Sequence, residues 1–296
     1  MFKQKESTNE NIAFIAMCSS LIAVISLIVS FFPISSFLLP LVIPFFACMP
    51  PLFCKKHYPY LFLVVALGLS LLAGLYSIFD TIFFIYPSIL IGFAFGICRK
   101  RDIPESILLF FLSLIELGLF YVCLYLIKWI SDVDIGETIL TLLNQNKEGA
   151  KEILPLLYLT YSFAQIGLTS LFLNFELPKL KLDKKVNDIP YLGEGLAITL
   201  IVVSMIVGLY LPSLGLLLLG LSCYWSIYSL IKVFFCKKWY IYLVLGLLFF
   251  IGLLLFAYLY QFYIDRYGII LIGLVLTSFP LTSITNELSK IKRKSN

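Results

Sequence analysis

Apolar runs of about twenty residues follow one another along almost the whole chain, separated by short polar connections. Twenty helical residues rise about 30 Å, the thickness of a bilayer's hydrocarbon layer. In that layer the backbone must satisfy its own N–H and C=O groups, and a helix does so within a single segment. Ten spans are read: 11–32, 34–53, 58–76, 81–98, 104–130, 153–175, 195–211, 214–235, 239–263 and 268–288. The expected fold class is an all-α integral membrane protein with about ten transmembrane helices. Composition agrees: 61% of residues are hydrophobic, 13% are charged and the mean hydropathy is +1.00, outside the range of soluble domains. No small-residue cleavage site follows the first run, so it is read as a span and not as a removed signal peptide.

Each span reverses the side of the next loop, which lets charge test the count. With the N-terminus inside, only Lys128, Lys147, Lys151 and Arg266 of the 22 lysines and arginines face outward. All the others lie in inner segments, among them Lys55–Lys56, Arg99–Arg101, Lys179–Lys185, Lys237–Lys238 and Lys290–Lys294. The chain is therefore expected in the cell membrane, multi-pass, with both termini cytoplasmic. Its net charge of +5 needs no nucleic-acid partner. The basic residues form an inner belt against anionic headgroups, with Tyr58, Tyr60, Trp239, Tyr240 and Tyr242 as interface anchors.

The second span is the most constrained. FPISSFLLPLVIPFFACMPP, residues 32–51, carries Pro33, Pro40, Pro44, Pro50 and Pro51 and no charge. It must cross, because the Lys55–Lys56 loop belongs inside. Proline removes a backbone donor and frees the carbonyl four residues earlier, which lipid cannot satisfy. A kinked helix is expected near Pro40–Pro44, with its freed carbonyls turned to protein neighbours.

The basic loop ELPKLKLDKKVNDIPYLGEG divides the chain. Residues 1–176 form a six-span domain, 177–194 a cytoplasmic loop, and 195–296 a four-span domain with a basic tail. Phe53–Leu61 (FCKKHYPYL) echoes Phe235–Leu243 (FCKKWYIYL), as a repeat or as two similar inner interfaces. Residues 131–152 form the one sizeable outer segment. Ile135, Ile139, Leu142 and Leu143 fall on one face of a short amphipathic helix, and Gly149 offers a stop.

Ionisable groups inside a span are expensive and mark function by default. Glu116 is the carboxylate far from both ends of its span, with Ser113 on the same face. The sixth span brings Tyr158, Tyr161, Ser162, Gln165 and Thr169 at helical spacing. At 1.5 Å per residue, Glu116 and Gln165 each lie roughly 18 Å from the end of their span and so at similar depth. Glu116, Gln165, Ser113, Tyr161 and Ser162 would line a site for a small polar or cationic ligand. Alternatively, a protonated Glu116 bonds to Gln165 or Ser113 and holds helices together. Catalysis is not expected. The one histidine, His57, lies in a basic loop, and H-E-x-x-H, G-x-S-x-G and Walker sequences are absent. The seven cysteines form no C-x-x-C pair and read as small apolar residues; neither a metal nor a cofactor is expected.

Small residues mark close helix contacts: Ala13, Ala16, Ser20 and Ala23 on the first span, Ala66, Ser70 and Gly74 on the third, and Gly92 and Gly96 on the fourth. An Ala/Ser-rich first span, LPLVIP in the second, an outer amphipathic segment and Leu173–Asn174 before a basic loop resemble the YybS-like proteins. These are polytopic membrane proteins of Gram-positive bacteria, similar in their N-terminal part to the substrate-binding S components of energy-coupling-factor transporters. The resemblance implies a six-helix ligand-binding core plus C-terminal spans, and a transport subunit without its own ATPase. It also implies docking of a membrane coupling subunit, itself joined to ATPases, on the Ala13, Ala16, Ser20 and Ala23 face. A non-transporting scaffold or assembly factor for an envelope complex is the alternative.

Charge asymmetry makes topology the first expectation to test. On a cysteine-free background, an impermeant thiol reagent added outside intact cells is expected to label a cysteine at position 147 and not one at position 184.

Overall fold

A computed structural model describes residues 5–36, 38–55, 57–101, 103–132, 147–179, 191–234, 240–241, 244–246 and 264–294. Among these the chain is helical, without strands. It divides into two compact units, Met1–Asp188 and Ile189–Asn296.

In the first unit α1 (Thr8–Phe31) starts at Ser7, whose hydroxyl accepts the Glu10 amide at 3.2 Å. Two 3₁₀ turns, Pro33–Ser36 and Leu39–Val42, lead into α2 (Ile43–Phe53), and α3 covers Tyr58–Ala73. A 3₁₀ turn, Leu75–Ser77, and one short helical turn precede a π-helical segment, Thr81–Ile85, which runs into α4 (Tyr86–Lys100). Pro87 cannot donate to the Phe83 carbonyl, so the regular ladder breaks there; the Tyr86 amide reaches back to Thr81 O instead. α5 (Glu105–Ser131) and α6 (Lys147–Lys179) complete the unit. The second unit packs α7 (Leu192–Tyr210), α8 (Pro212–Phe234) and α9 (Ile264–Lys294) on one another.

The proline segment is irregular, as its composition requires: 3₁₀ through Pro40, helical only from Ile43. Two of the expected boundaries move. Gly149 lies inside the first turns of α6 and stops nothing, because glycine near a helix start leaves the ladder below it intact. The basic loop is shorter than expected, since α6 runs to Lys179 and α7 begins at Leu192, making Glu194 helical. Ile135, Ile139, Leu142 and Leu143, and most of the second FCKK copy, lie outside the described residues.

Among the described residues, four helical stretches are long and apolar enough to cross a membrane: Thr8–Phe31, Leu75–Lys100, Ile107–Ser131 and Leu192–Tyr210. Leu39–Phe53, Tyr58–Ala73 and Leu214–Cys223 are apolar but shorter. Polarity runs inside out. On α5, Phe111, Ile115, Val122, Tyr125 and Trp129 are exposed, while Glu105, Ser113 and Glu116 are buried.

α2 and α4 approach closely. A Cβ on Gly92 would lie 2.5 Å from both Cα and O of Pro44, and one on Gly96 2.5 Å from Cys48 O and 2.9 Å from Pro51 Cβ. These contacts are largely backbone, so they cannot yield by turning a side chain. Gly96→Val is expected to destabilise the protein by about 1–3 kcal/mol, read as a lowered unfolding midpoint in detergent. Gly118→Ala, where nothing lies within 4 Å, is expected to leave it unchanged or raise it by up to about 1 kcal/mol.

Candidate functional site

Pro44 has no N–H, so the Pro40 carbonyl lacks the donor four residues on and takes the Ile43 amide in a 3₁₀ bond. The Gln165 side chain adds a second donor to it across 125 positions of sequence. Its Nε2 donates to Pro40 O at 3.1 Å and to Ser88 Oγ at 2.7 Å, joining α6 to the proline segment and to α4. Farther along, the Pro51 carbonyl accepts Lys100 Nζ at 3.1 Å, and the same ammonium reaches Cys54 O at 3.2 Å. The Lys55 amide donates to Asn11 Oδ1 at 3.2 Å. Asn11 Nδ2 donates to Ser7 O at 2.7 Å, and the Lys5 amide donates to Phe53 O at 3.0 Å. Residues 5–11, 51–55 and 99–105 thus meet at one end of the unit. Burial pushes the Cys54 thiol there up to about 11 against the pull of Lys100 and Lys5, so it stays unreactive at neutral pH.

The same end holds a buried ion pair that the sequence reading missed. Arg99 donates through Nη1 to Glu105 Oε1 at 3.0 Å and through Nη2 to Asn174 Oδ1 at 2.6 Å. Asn174 Nδ2 and the Ser170 hydroxyl both donate to Glu105. Glu105 is only 3% exposed, and its sequence position beside the basic loop disguises it as a rim charge. In the second unit Glu194, in the first turn of α7, accepts the Ser283 hydroxyl at 2.8 Å. Its membership of a polar loop hid it in the same way.

Glu116 lies three turns along α5 from Glu105 and on the same face, since eleven residues return almost to the starting angle. Its side chain is fully buried, and neither carboxyl oxygen has a hydrogen-bond partner. Ser162 and Tyr161 of α6 stand beside it. The Ser162 hydroxyl nevertheless donates to Tyr158 O at 3.0 Å, and the Ser113 hydroxyl to Leu109 O at 2.8 Å. Of the five candidate residues, the structure therefore gathers Glu116, Tyr161 and Ser162, with Gln165 beside Tyr161 and Ser113 buried on Glu116's own helix. The expected bond between Glu116 and Gln165 or Ser113 is not made; the Gln165 and Ser113 hydrogens serve backbone carbonyls and Ser88.

Beyond Glu116, away from Glu105, the core is aromatic. Phe83, Phe120, Tyr158 and Tyr161 form one cluster, with Phe120–Tyr158 at 5.5 Å and Phe120–Tyr161 at 5.8 Å between ring centroids. The small-residue face of α1 points away from this core: Ala13, Ala16 and Ser20 are exposed and Ala23 is half-buried. No group of side chains suited to a metal occurs among the described residues. No protein-family model, characterised protein or solved structure matches this chain.

Gln165→Leu strips the Pro40 carbonyl of its side-chain donor and is expected to destabilise the protein by about 1–3 kcal/mol. Adding Pro44→Ala returns a backbone N–H within reach of that carbonyl. A double-mutant cycle on unfolding midpoints is expected to show the two changes coupled, with the double variant above the sum of the singles.

Proposed function

We propose that this chain is a ten-span membrane subunit that binds a small polar or cationic ligand for a transporter of the energy-coupling-factor kind. It has no ATPase of its own, and both termini lie in the cytoplasm. The observation that carries the reading is Glu116, a fully buried carboxyl group with no hydrogen-bond partner at the middle of a 27-residue helix. A charge in such a place needs a compensating partner, and the Arg99 guanidinium is committed to Glu105. Inside-out polarity and helices of membrane-crossing length support membrane insertion. Hydrogen bonds gather the basic connections 51–55 and 99–105 at one end with the N-terminal residues, which supports a shared cytoplasmic side. The exposed Ala13, Ala16 and Ser20 face supports docking of a membrane coupling subunit that brings the ATPases.

The scaffold reading draws on a different observation: the aromatic rings beyond Glu116 pack directly on one another. One substitution separates the two. Glu116→Gln keeps size and hydrogen-bonding capacity and removes the charge. A ligand-binding subunit is expected to lose its copurifying small molecule, and its cellular phenotype, while folding normally. A scaffold is expected to keep full activity.

A further inference from the structure

The groups around Glu116 differ sharply in what they have left to offer. The hydrogens of Ser113, Ser162 and Thr169 each go to the carbonyl four residues back on their own helix, at 2.8, 3.0 and 2.8 Å. The Gln165 amide hydrogens go to Pro40 and Ser88, leaving its Oε1 without a hydrogen-bond partner. Hydroxyl lone pairs, an amide oxygen and two carboxyl oxygens remain. Tyr161 adds a neutral phenol, and none of these groups carries a positive charge, so the complement of the carboxylate is a cation. No cation stands beside Glu116 among the described residues, and Arg99 is paired with Glu105.

We infer that the occupant exchanged at Glu116 is a proton, delivered along the α5–α6 seam from the end that carries Arg99 and Glu105. This rests on the transport reading above and names the ion that works it. Binding converts the carboxylate and one proton from water into a neutral carboxylic acid; release reverses the step, and no other bond changes. A neutral acid needs no room beyond the hydrogen itself and answers the uncompensated charge. Its new O–H meets the lone pair that Ser162 leaves open. Direction follows from the two sides of the carboxyl. Toward Glu105, about 16 Å away along α5, the seam carries Ser113, Thr169, Ser170 and Asn174; the other way it meets the ring cluster. The titratable groups around Glu116 are Tyr161 and Tyr158 of α6 and, along its own helix, Glu105 and Cys123. The π-helical segment, α4 and the proline segment present Phe83, Phe84, Ser88, Pro40 and Leu41, none of which titrates.

The test is infrared difference titration of the full-length protein in liposomes. The expected result is the carbonyl band of a protonated carboxyl group that is present in acid, disappears with rising pH, shifts in heavy water, and is lost in Glu116→Gln. Glu116→Asp keeps a titrating band at a shifted midpoint, which covers poor folding of the glutamine variant. In oriented vesicles the band is expected to follow the pH on the side of the Arg99–Glu105 end. A carboxylate that stays ionised at every pH overturns the inference. So does a band that appears only when sodium is removed, which makes the occupant a metal ion, or one that never exchanges in heavy water, which makes Glu116 a sealed acid. If Glu116→Gln loses ligand binding but no band exists, the proton falls and the transport reading stands. If the band exchanges and Glu116→Gln is fully active, the proton stands and the transport reading falls.

Discussion

Proline at position 44 denies the Pro40 carbonyl its α-helical amide, so the Ile43 amide closes a 3₁₀ turn on it and its other lone pair is left for a tertiary donor. That second donor comes from Gln165 in α6, the most distant helix of the unit in sequence. The same requirement recurs at the other end of the segment. Pro51 O would bond the Lys55 amide if α2 continued. Instead the carbonyl takes Lys100 and the amide takes Asn11, so one helix terminus is capped by side chains from α4 and α1. An unsatisfied buried peptide group costs about 1–3 kcal/mol, so each substitute donor is also a tie between helices. The prolines thereby convert local defects into tertiary contacts.

Close packing follows from the same residues. A chain without amide hydrogens at positions 44 and 51 has backbone and ring surface where another helix would carry ladder bonds, and Gly92 and Gly96 seat α4 against it. Ser88 sits one turn before Gly92 and meets Gln165, so the glycine contact and the amide contact fix the same register between α2, α4 and α6. With both amide hydrogens committed to that register, Gln165 has none to give Glu116.

Patterns in the sequence reveal this arrangement as far as local rules extend. Helicity, the irregularity of residues 33–42, and the burial of Glu116 and Gln165 follow from apolar length, proline chemistry and helical period. Partner choice does not. Span lengths put Gln165 and Glu116 at similar expected depth, which suggested a bond between them, yet three-dimensional packing gave the Gln165 amide hydrogens to Pro40 and Ser88. Glu105 and Glu194 were hidden for another reason. Charges next to a polar loop look solvated in sequence, and only a neighbouring helix with Asn174 and Ser170, or with Ser283, reveals that they are buried. Gly149 misled because glycine signals a helix end only when it follows the helix.

Two carboxylates on one face of α5 thus meet opposite treatment. Glu105 receives a guanidinium, an amide and a hydroxyl, and removing one partner from such a buried set typically costs about 3–5 kcal/mol. Glu116, at the same burial, receives none. A chain that can assemble full compensation for one acid three turns away is not short of means. Packing alone would be served at position 116 by leucine or methionine of similar volume, without the desolvation that a carboxyl group brings. An acid retained without partners is what a site for a mobile cation requires: the compensating charge has to arrive and leave, so no fixed residue can occupy its place.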